Sequence, residues 1–228
     1  MIQKKALKTA FIKSIPILCS YIFVGIAYGI MMEDAGFAWY YSLLASFGVY
    51  TGAFQFVLIT LMSSGASMVT IALTALLMSS RQTFYSITFL KDFKSMGKRM
   101  PYMVLTMSDE TYAVNCSLEM NDDKERKDIM FWVAMFSRIY WMAGSVIGGV
   151  LGQLIPFELE GIDFCMTALF VTIFIDQWEN ADKHTPALLG IAVGIICLVI
   201  FGQGSFMLPA LLIASAILIM MQRKEQAE

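Results

Sequence analysis

FAWYYSLLASFGVYTGAFQFVLITLM, residues Phe37 to Met62, contains no Asp, Glu, Lys or Arg. A helix needs about 20 apolar residues to cross the hydrocarbon core of a bilayer, and this stretch is long enough. Its middle, Tyr50-Thr51-Gly52-Ala53-Phe54-Gln55, is polar and helix-weakening, with Gly48 close by. Two outcomes are open there. One is an intact helix with a small-residue packing notch. The other is a helix unwound at mid-depth, where a half-helix N-terminus faces a carboxylate and freed carbonyls receive an ammonium.

The surroundings are of the same kind. The chain is 58% hydrophobic and 15% charged, with mean hydropathy +0.67. Soluble domains carry about 25% charged residues to keep their surfaces wet, so lipid is expected to be part of this protein's solvent. Further apolar stretches run over Ile15–Met32, Ala66–Leu90, Met130–Ile155, Phe164–Trp178, Pro186–Gly202 and Phe206–Met221. An eighth, weaker one, Met100–Ser117, holds Asp109 and Glu110 in its middle. Turn chemistry joins them at Glu33-Asp34-Ala35-Gly36, Ser63-Ser64-Gly65 and Gly202-Gln203-Gly204-Ser205. The fold class expected is all-α: a polytopic transmembrane helical bundle of about seven or eight segments, some broken or re-entrant. It forms one domain over 1–228, with 1–14 a basic N-terminus and 222–228 a tail.

Positively charged loops stay in the cytoplasm. That rule places the N-terminus (Lys4, Lys5, Lys8, Lys13), the loop with Lys124, Arg126 and Lys127, the Lys183 loop and the tail with Arg223 and Lys224 inside. Phe157–Asp163, with Glu158, Glu160 and Asp163 and no cation, falls outside. The most basic loop, Lys91, Lys94, Lys98 and Arg99, should also be inside, and simple alternation puts it outside. One earlier segment is therefore expected to be broken or re-entrant, and Met100–Ser117 to dip in and return. The first apolar segment has no small-x-small cleavage site and is expected to be retained as a span.

Small residues four apart, Gly25/Gly29, Gly144/Gly148, Gly148/Gly152 and Gly190/Gly194, are expected to let helix backbones approach closely. Ionisable residues at membrane depth are costly and so are functional candidates: Arg81, Asp109, Glu110, Arg138 and Asp176, with Gln55 and Asn115 as uncharged companions. Arg81 or Arg138 could instead pair with the acids in a purely structural role. A net charge of -2 argues against nucleic-acid binding. The four cysteines form no CxxC pair, and a single histidine, His184, gives no metal set or cofactor site. HExxH and GxSxG motifs are absent, so no catalysis is expected.

Six motifs in order resemble one family. They are Pro16 with Gly25-Ile26-Ala27-Tyr28-Gly29; Tyr50-Thr51-Gly52-Ala53-Phe54-Gln55-Phe56; Ser80-Arg81-Gln82-Thr83-Phe84-Tyr85; Ser108-Asp109-Glu110-Thr111-Tyr112-Ala113; Trp141 with Gly144, Gly148 and Gly152; and Gly161-Ile162-Asp163-Phe164-Cys165-Met166-Thr167-Ala168-Leu169-Phe170. Together they are similar to the AzlC family, the large subunit of bacterial branched-chain amino-acid exporters. Ser80 and Gln82-Thr83 depart from its asparagine and histidine around Arg81, and Ser108 from its threonine.

The resemblance implies a multi-pass protein of the cytoplasmic membrane that exports leucine, isoleucine, valine or methionine beside a small AzlD-type membrane subunit. The substrate-binding residues expected are Thr51, Gly52, Ala53, Phe54, Gln55, Arg81, Asp109, Glu110 and Trp141. Gly52, its neighbours and Gln55 would offer backbone and amide groups to the zwitterion. Arg81 would receive the carboxylate or hold the acidic pair. Asp109 or Glu110 would bind the ammonium or carry a coupling proton, and Phe54, Phe56 and Trp141 would wall the apolar side chain. A noncatalytic assembly subunit with structural charges is the alternative, and a passive pore the third.

Overall fold

Apolar runs become two long helices, α1 (Ile2–Asp34), which continues through Pro16, and α9 (Asp123–Leu154), each long and apolar enough to cross a membrane. A computed structural model describes residues 2–118, 122–154, 183–202 and 206–225, with 167, 168, 171, 172, 174, 175, 178, 179 and 181. Side chains 2–4, 81, 207, 208 and 222–225 are outside that description, as are Phe157–Asp163, Asp176 and most of Phe164–Trp178. Between α1 and α9 come α2 (Trp39–Gly48), α3 (Gly52–Ser63), α4 (Met68–Met78), α5 (Ser80–Thr88), α6 (Leu90–Ser95), α7 (Met100–Leu105) and α8 (Asp109–Cys116). After α9 follow α10 (Thr185–Phe201) and α11 (Met207–Glu225). No strand occurs among the described residues.

The chain divides into two compact units. The first is Met1–Ile59 with Ser79–Asp163, and the second is Thr60–Met78 with Phe164–Glu228.

In the first unit α1 and α9 lie side by side and run parallel. Lys5 Nζ is 3.3 Å from a Glu125 carboxylate oxygen near the start of both. Ser14 Oγ is 3.1 Å from the Tyr140 hydroxyl further along, and the Glu33 side chain reaches Gly152 near the far end. The glycines expected to let backbones approach do so on these two helices. A Cβ on Gly144 would stand 2.9 Å from the Ile22 carbonyl oxygen, and one on Gly148 would stand 2.8 Å from Ile26 Cα. Gly29 faces the backbone of Ser145, Gly148 and Gly149.

Short helices occupy the stretch where simple alternation and the charge rule disagree, and they stop midway along α1 and α9. Arg99 pairs with Asp128 at 2.7 Å, and Arg126 with Asp92 at 2.8 Å. With Lys5 and Glu125, these pairs gather the start of α1, the basic segment and the start of α9 at one end of the unit. From Arg99 the chain enters the unit through α7, and Ser108 reaches Tyr21 (2.7 Å). Tyr21 is 16 residues, roughly 24 Å, along α1 from Lys5. The chain is back at Asp122 one residue before α9 begins. Met100–Ser117 therefore dips in and returns.

The Phe37–Met62 stretch is also broken, at 49–51. Gln55 Nε2 lies 3.5 Å from Ser46 Oγ, whereas nine residues of continuous helix would separate those positions by roughly 13 Å. The chain bends sharply between α2 and α3. Ala66–Leu90 is divided at Ser79 into α4, in the second unit, and α5, in the first.

In the second unit α11 packs against α10 and α4. At Gly190 and Gly194 none of the described residues lies within 4 Å of an added Cβ. The buried side chains of α10 are Val193 and Cys197, on the same helical stripe as the two glycines.

This difference is testable by thermal unfolding of purified protein. Overpacking a close contact costs about 1–3 kcal/mol, so Gly148→Ala should lower stability by that amount. Gly190→Ala should change it by less than about 0.5 kcal/mol. Equal effects at the two sites would contradict the packing described.

Candidate functional site

Three short helices end or begin midway along α1 and α9. The α2 backbone closes with the Val49 N–H on the Ala45 carbonyl (2.8 Å). Tyr50 then takes φ +38°, the one positive φ outside glycine among the described residues. A bulky residue in that region costs of order 1–3 kcal/mol and persists only where its surroundings hold it. Here burial holds the ring, and the Arg138 guanidinium carbon lies 5.8 Å from its centroid. Gln55 N–H on the Thr51 carbonyl (2.9 Å) opens α3. The N–H groups of Gly52, Ala53 and Phe54 therefore lie in a first turn with no intrahelical acceptor, at the positive end of the helix.

Trp141 of α9 faces that turn. A Cβ on Gly52 would meet the indole at 3.4 Å, an ordinary van der Waals distance, so the ring lies directly against this turn. The Trp141 indole Nε1 donates to Gln55 Oε1 at 2.5 Å. Because the indole nitrogen can only donate, the Gln55 oxygen must face it and the amide nitrogen must face Ser46. Ser46 then donates to Ser145 (2.9 Å), and Ser145 to the Trp141 carbonyl (2.8 Å). Gln55, Ser46 and Ser145 are wholly buried, and each polar group in the loop is satisfied. Tyr28 stacks on the indole with centroids 6.1 Å apart and meets Phe56 edge-on at 5.5 Å. Its hydroxyl, fully buried, has no partner among the described residues.

The second half-helix, α8, starts with a capping box. Ser108 Oγ accepts the Thr111 N–H, and Thr111 Oγ1 accepts the Ser108 N–H. Asp109 and Glu110 occupy its first turn, where the helix dipole favours negative charge. The Tyr21 hydroxyl lies 2.6 Å from Glu110 Oε2. The Tyr21 ring meets Trp141 edge-on, with centroids 5.4 Å apart.

The expected residues are thus largely brought together. Thr51, Phe54, Gln55, Phe56 and Trp141 are buried, with Gly52 and Ala53 half-buried at the turn. Arg81 is the second residue of α5, and its side chain lies outside the described residues. Arg138 bonds elsewhere than the acids. It donates to the Phe47 carbonyl at the end of α2 and sits over the Phe47 ring at 4.5 Å and the Tyr102 ring at 5.6 Å. A cation there complements the negative end of α2. Asn115 is buried on α8. No cluster able to hold a metal occurs among the described residues.

Tyr21, Tyr28, Ser46 and Ser145 were not among the expected residues. A sequence signal existed for the tyrosines: Tyr21, Gly25, Tyr28 and Gly29 share one helical stripe.

Comparison with known proteins places this arrangement. Residues 16–155 match the AzlC protein family. The chain belongs to the AzlC family. It is 34% identical to the branched-chain amino acid transport protein AzlC of Bacillus subtilis over 98% of this chain and 88% of that protein. It is 34% identical to a membrane protein of Helicobacter pylori over 97% of this chain and 96% of that one. Inner membrane protein YgaZ of Escherichia coli is 27% identical over 80% of this chain and 78% of its own length. No solved structure matches the chain. The AzlC match contains every element around Trp141, so the broken helices and the glycine contact belong to its family-matching part.

The closed loop around the indole predicts the effect of removing its acceptor. Gln55→Ala leaves a buried N–H unpaired, at a cost of about 1–3 kcal/mol. Thermal unfolding should show that loss, with a shift of the Trp141 emission. Unchanged stability would contradict the bond.

Proposed function

We propose that this AzlC-family chain is a secondary transporter that exports branched-chain amino acids across the bacterial cytoplasmic membrane. Leucine, isoleucine and valine are the substrates in this proposal, with methionine a close analogue in size and polarity. The chain acts as the large subunit beside a small AzlD-type membrane partner, and its N- and C-termini face the cytoplasm.

One observation carries the proposal. The first turn of α3, the indole of Trp141 and the Glu110 carboxylate lie on the same Tyr21–Trp141 pair at mid-depth. A zwitterion with an apolar side chain needs those three receptors: hydrogen-bond donors for its carboxylate, an anion for its ammonium, and an aromatic wall. In this scheme Gly52, Ala53 and Phe54 offer N–H groups, while Thr51 and Gln55 shape the turn. Arg81 receives the carboxylate or braces the acids. Asp109 and Glu110 divide ammonium binding and proton coupling between them. The name carried by the Bacillus subtilis relative supports the substrate class.

A noncatalytic assembly role has one observation in its favour. The bonds around Gln55 and from Tyr21 to Glu110 satisfy polar groups without any ligand. The two schemes separate by how variants fail.

In cells preloaded with labelled leucine, the chain and a small AzlD-type partner should give saturable efflux. Asp109→Asn, Glu110→Gln and Arg81→Gln should each cut the rate at least about tenfold at equal membrane abundance, as expected when an interaction with a charged group is lost. Loss of abundance with an unchanged rate per molecule would favour the assembly role.

A further inference from the structure

Tyr21 stands between two oxygen atoms at short range, Glu110 Oε2 at 2.6 Å and Ser108 Oγ at 2.7 Å. A phenol has one proton to donate, and an ionised carboxylate can only accept. Tyr21 therefore donates to Glu110 and accepts from the Ser108 hydroxyl. Ser108 is itself held in place as the N-cap of α8, accepting the Thr111 N–H at 3.3 Å. The series runs in one direction, from the helix cap through the phenol to one oxygen of Glu110. No hydrogen bond among the described residues engages the other oxygen, Oε1. Asp109, one residue earlier, lies about 100° around the same helix.

The same phenol ring meets Trp141 edge-on, with planes 75° apart. One buried side chain thus sets both the orientation of Glu110 and its spacing from the indole that faces Gly52. We infer that Tyr21 is a positioning residue that presents Glu110, rather than Asp109, as the receptor for the substrate's amino group. This rests on the proposal that the site takes an amino acid. Tyr21→Phe is the informative change, because it removes the hydroxyl and keeps the ring against Trp141.

The test uses membrane vesicles containing the full chain and its small partner. Labelled leucine is transported in competition with L-leucinol, which keeps the amino group and lacks the carboxylate, or with 4-methyl-2-oxopentanoate, which has the reverse. In Tyr21→Phe, the KM for leucine and the half-inhibiting concentration of leucinol should both rise roughly tenfold. Inhibition by the oxo acid should stay within about twofold of the unaltered protein, a split that general loosening of the bundle would not produce. Equal effects on both competitors, or on neither, in normally inserted protein would overturn the assignment.

Should Tyr21→Phe fail to insert, the acids decide. Glu110→Gln should lose the preference for leucinol over the oxo acid and Asp109→Asn should keep it; the opposite pattern overturns the assignment. Absence of leucine transport by the unaltered protein would overturn the transport proposal and this assignment with it, and is seen before any variant is made.

Discussion

Direct backbone contact between α1 and α9 is the constraint on which the first unit depends. At Gly144 and Gly148 a single added carbon would collide with α1 main chain. In lipid, apolar side chains gain little by leaving one apolar medium for another, so close packing and interhelical hydrogen bonds drive association. Backbones at that distance bring Tyr21 and Tyr28 of α1 onto Trp141 of α9 as part of the same contact. The parallel direction of the two helices has a topological consequence. The chain leaves α1 at its Asp34 end and must come back to the opposite end, where α9 starts, and the ion pairs Lys5–Glu125, Arg126–Asp92 and Arg99–Asp128 mark that end.

The stretch between α1 and α9 is built of short helices. A bilayer core tolerates broken backbone only where protein or a polar cavity covers it. The break at 49–51 is covered by Arg138 and Trp141, and the one before α8 by Tyr21 and the Ser108 cap. Each break leaves a helix N-terminus in the interior, and the two are treated differently. In α8 the first turn carries its own Asp109 and Glu110. In α3 the first turn, Gly52, Ala53 and Phe54, carries no acid at all. That asymmetry suits a ligand with one negative and one positive group.

Much of this was legible in the sequence, for identifiable reasons. Gly52 beside Thr51 and Gln55 marked the break because helix-weakening residues stand out against an apolar run. The excess of cations over 91–99 pointed to a stretch that runs in and comes back, and 100–117 follows such a path along α1. Spacing identified Gly144 and Gly148 as contact residues, but the same spacing at Gly190 and Gly194 brings no close neighbour among the described residues. Spacing shows that a backbone can approach, and which neighbour arrives is a tertiary matter. Arg138 illustrates the same limit: its charge drew attention, while its partner, a main-chain carbonyl at Phe47, carries no sequence signature. The roles of Ser46 and Ser145 were equally hidden, since a serine facing a bonded amide and one facing lipid look alike in a sequence.

The central claim is that an amino acid binds against Trp141 at the break. Of the chain's four tryptophans, Trp39, Trp132 and Trp178 can be replaced by phenylalanine to leave Trp141 as the sole emitter. With that protein and its small partner in lipid nanodiscs, L-leucine should change the indole emission saturably and reversibly, and glycine, lacking an apolar side chain, should do so far more weakly. An emission spectrum indifferent to leucine, in protein that still transports it, would place the substrate elsewhere and contradict the account.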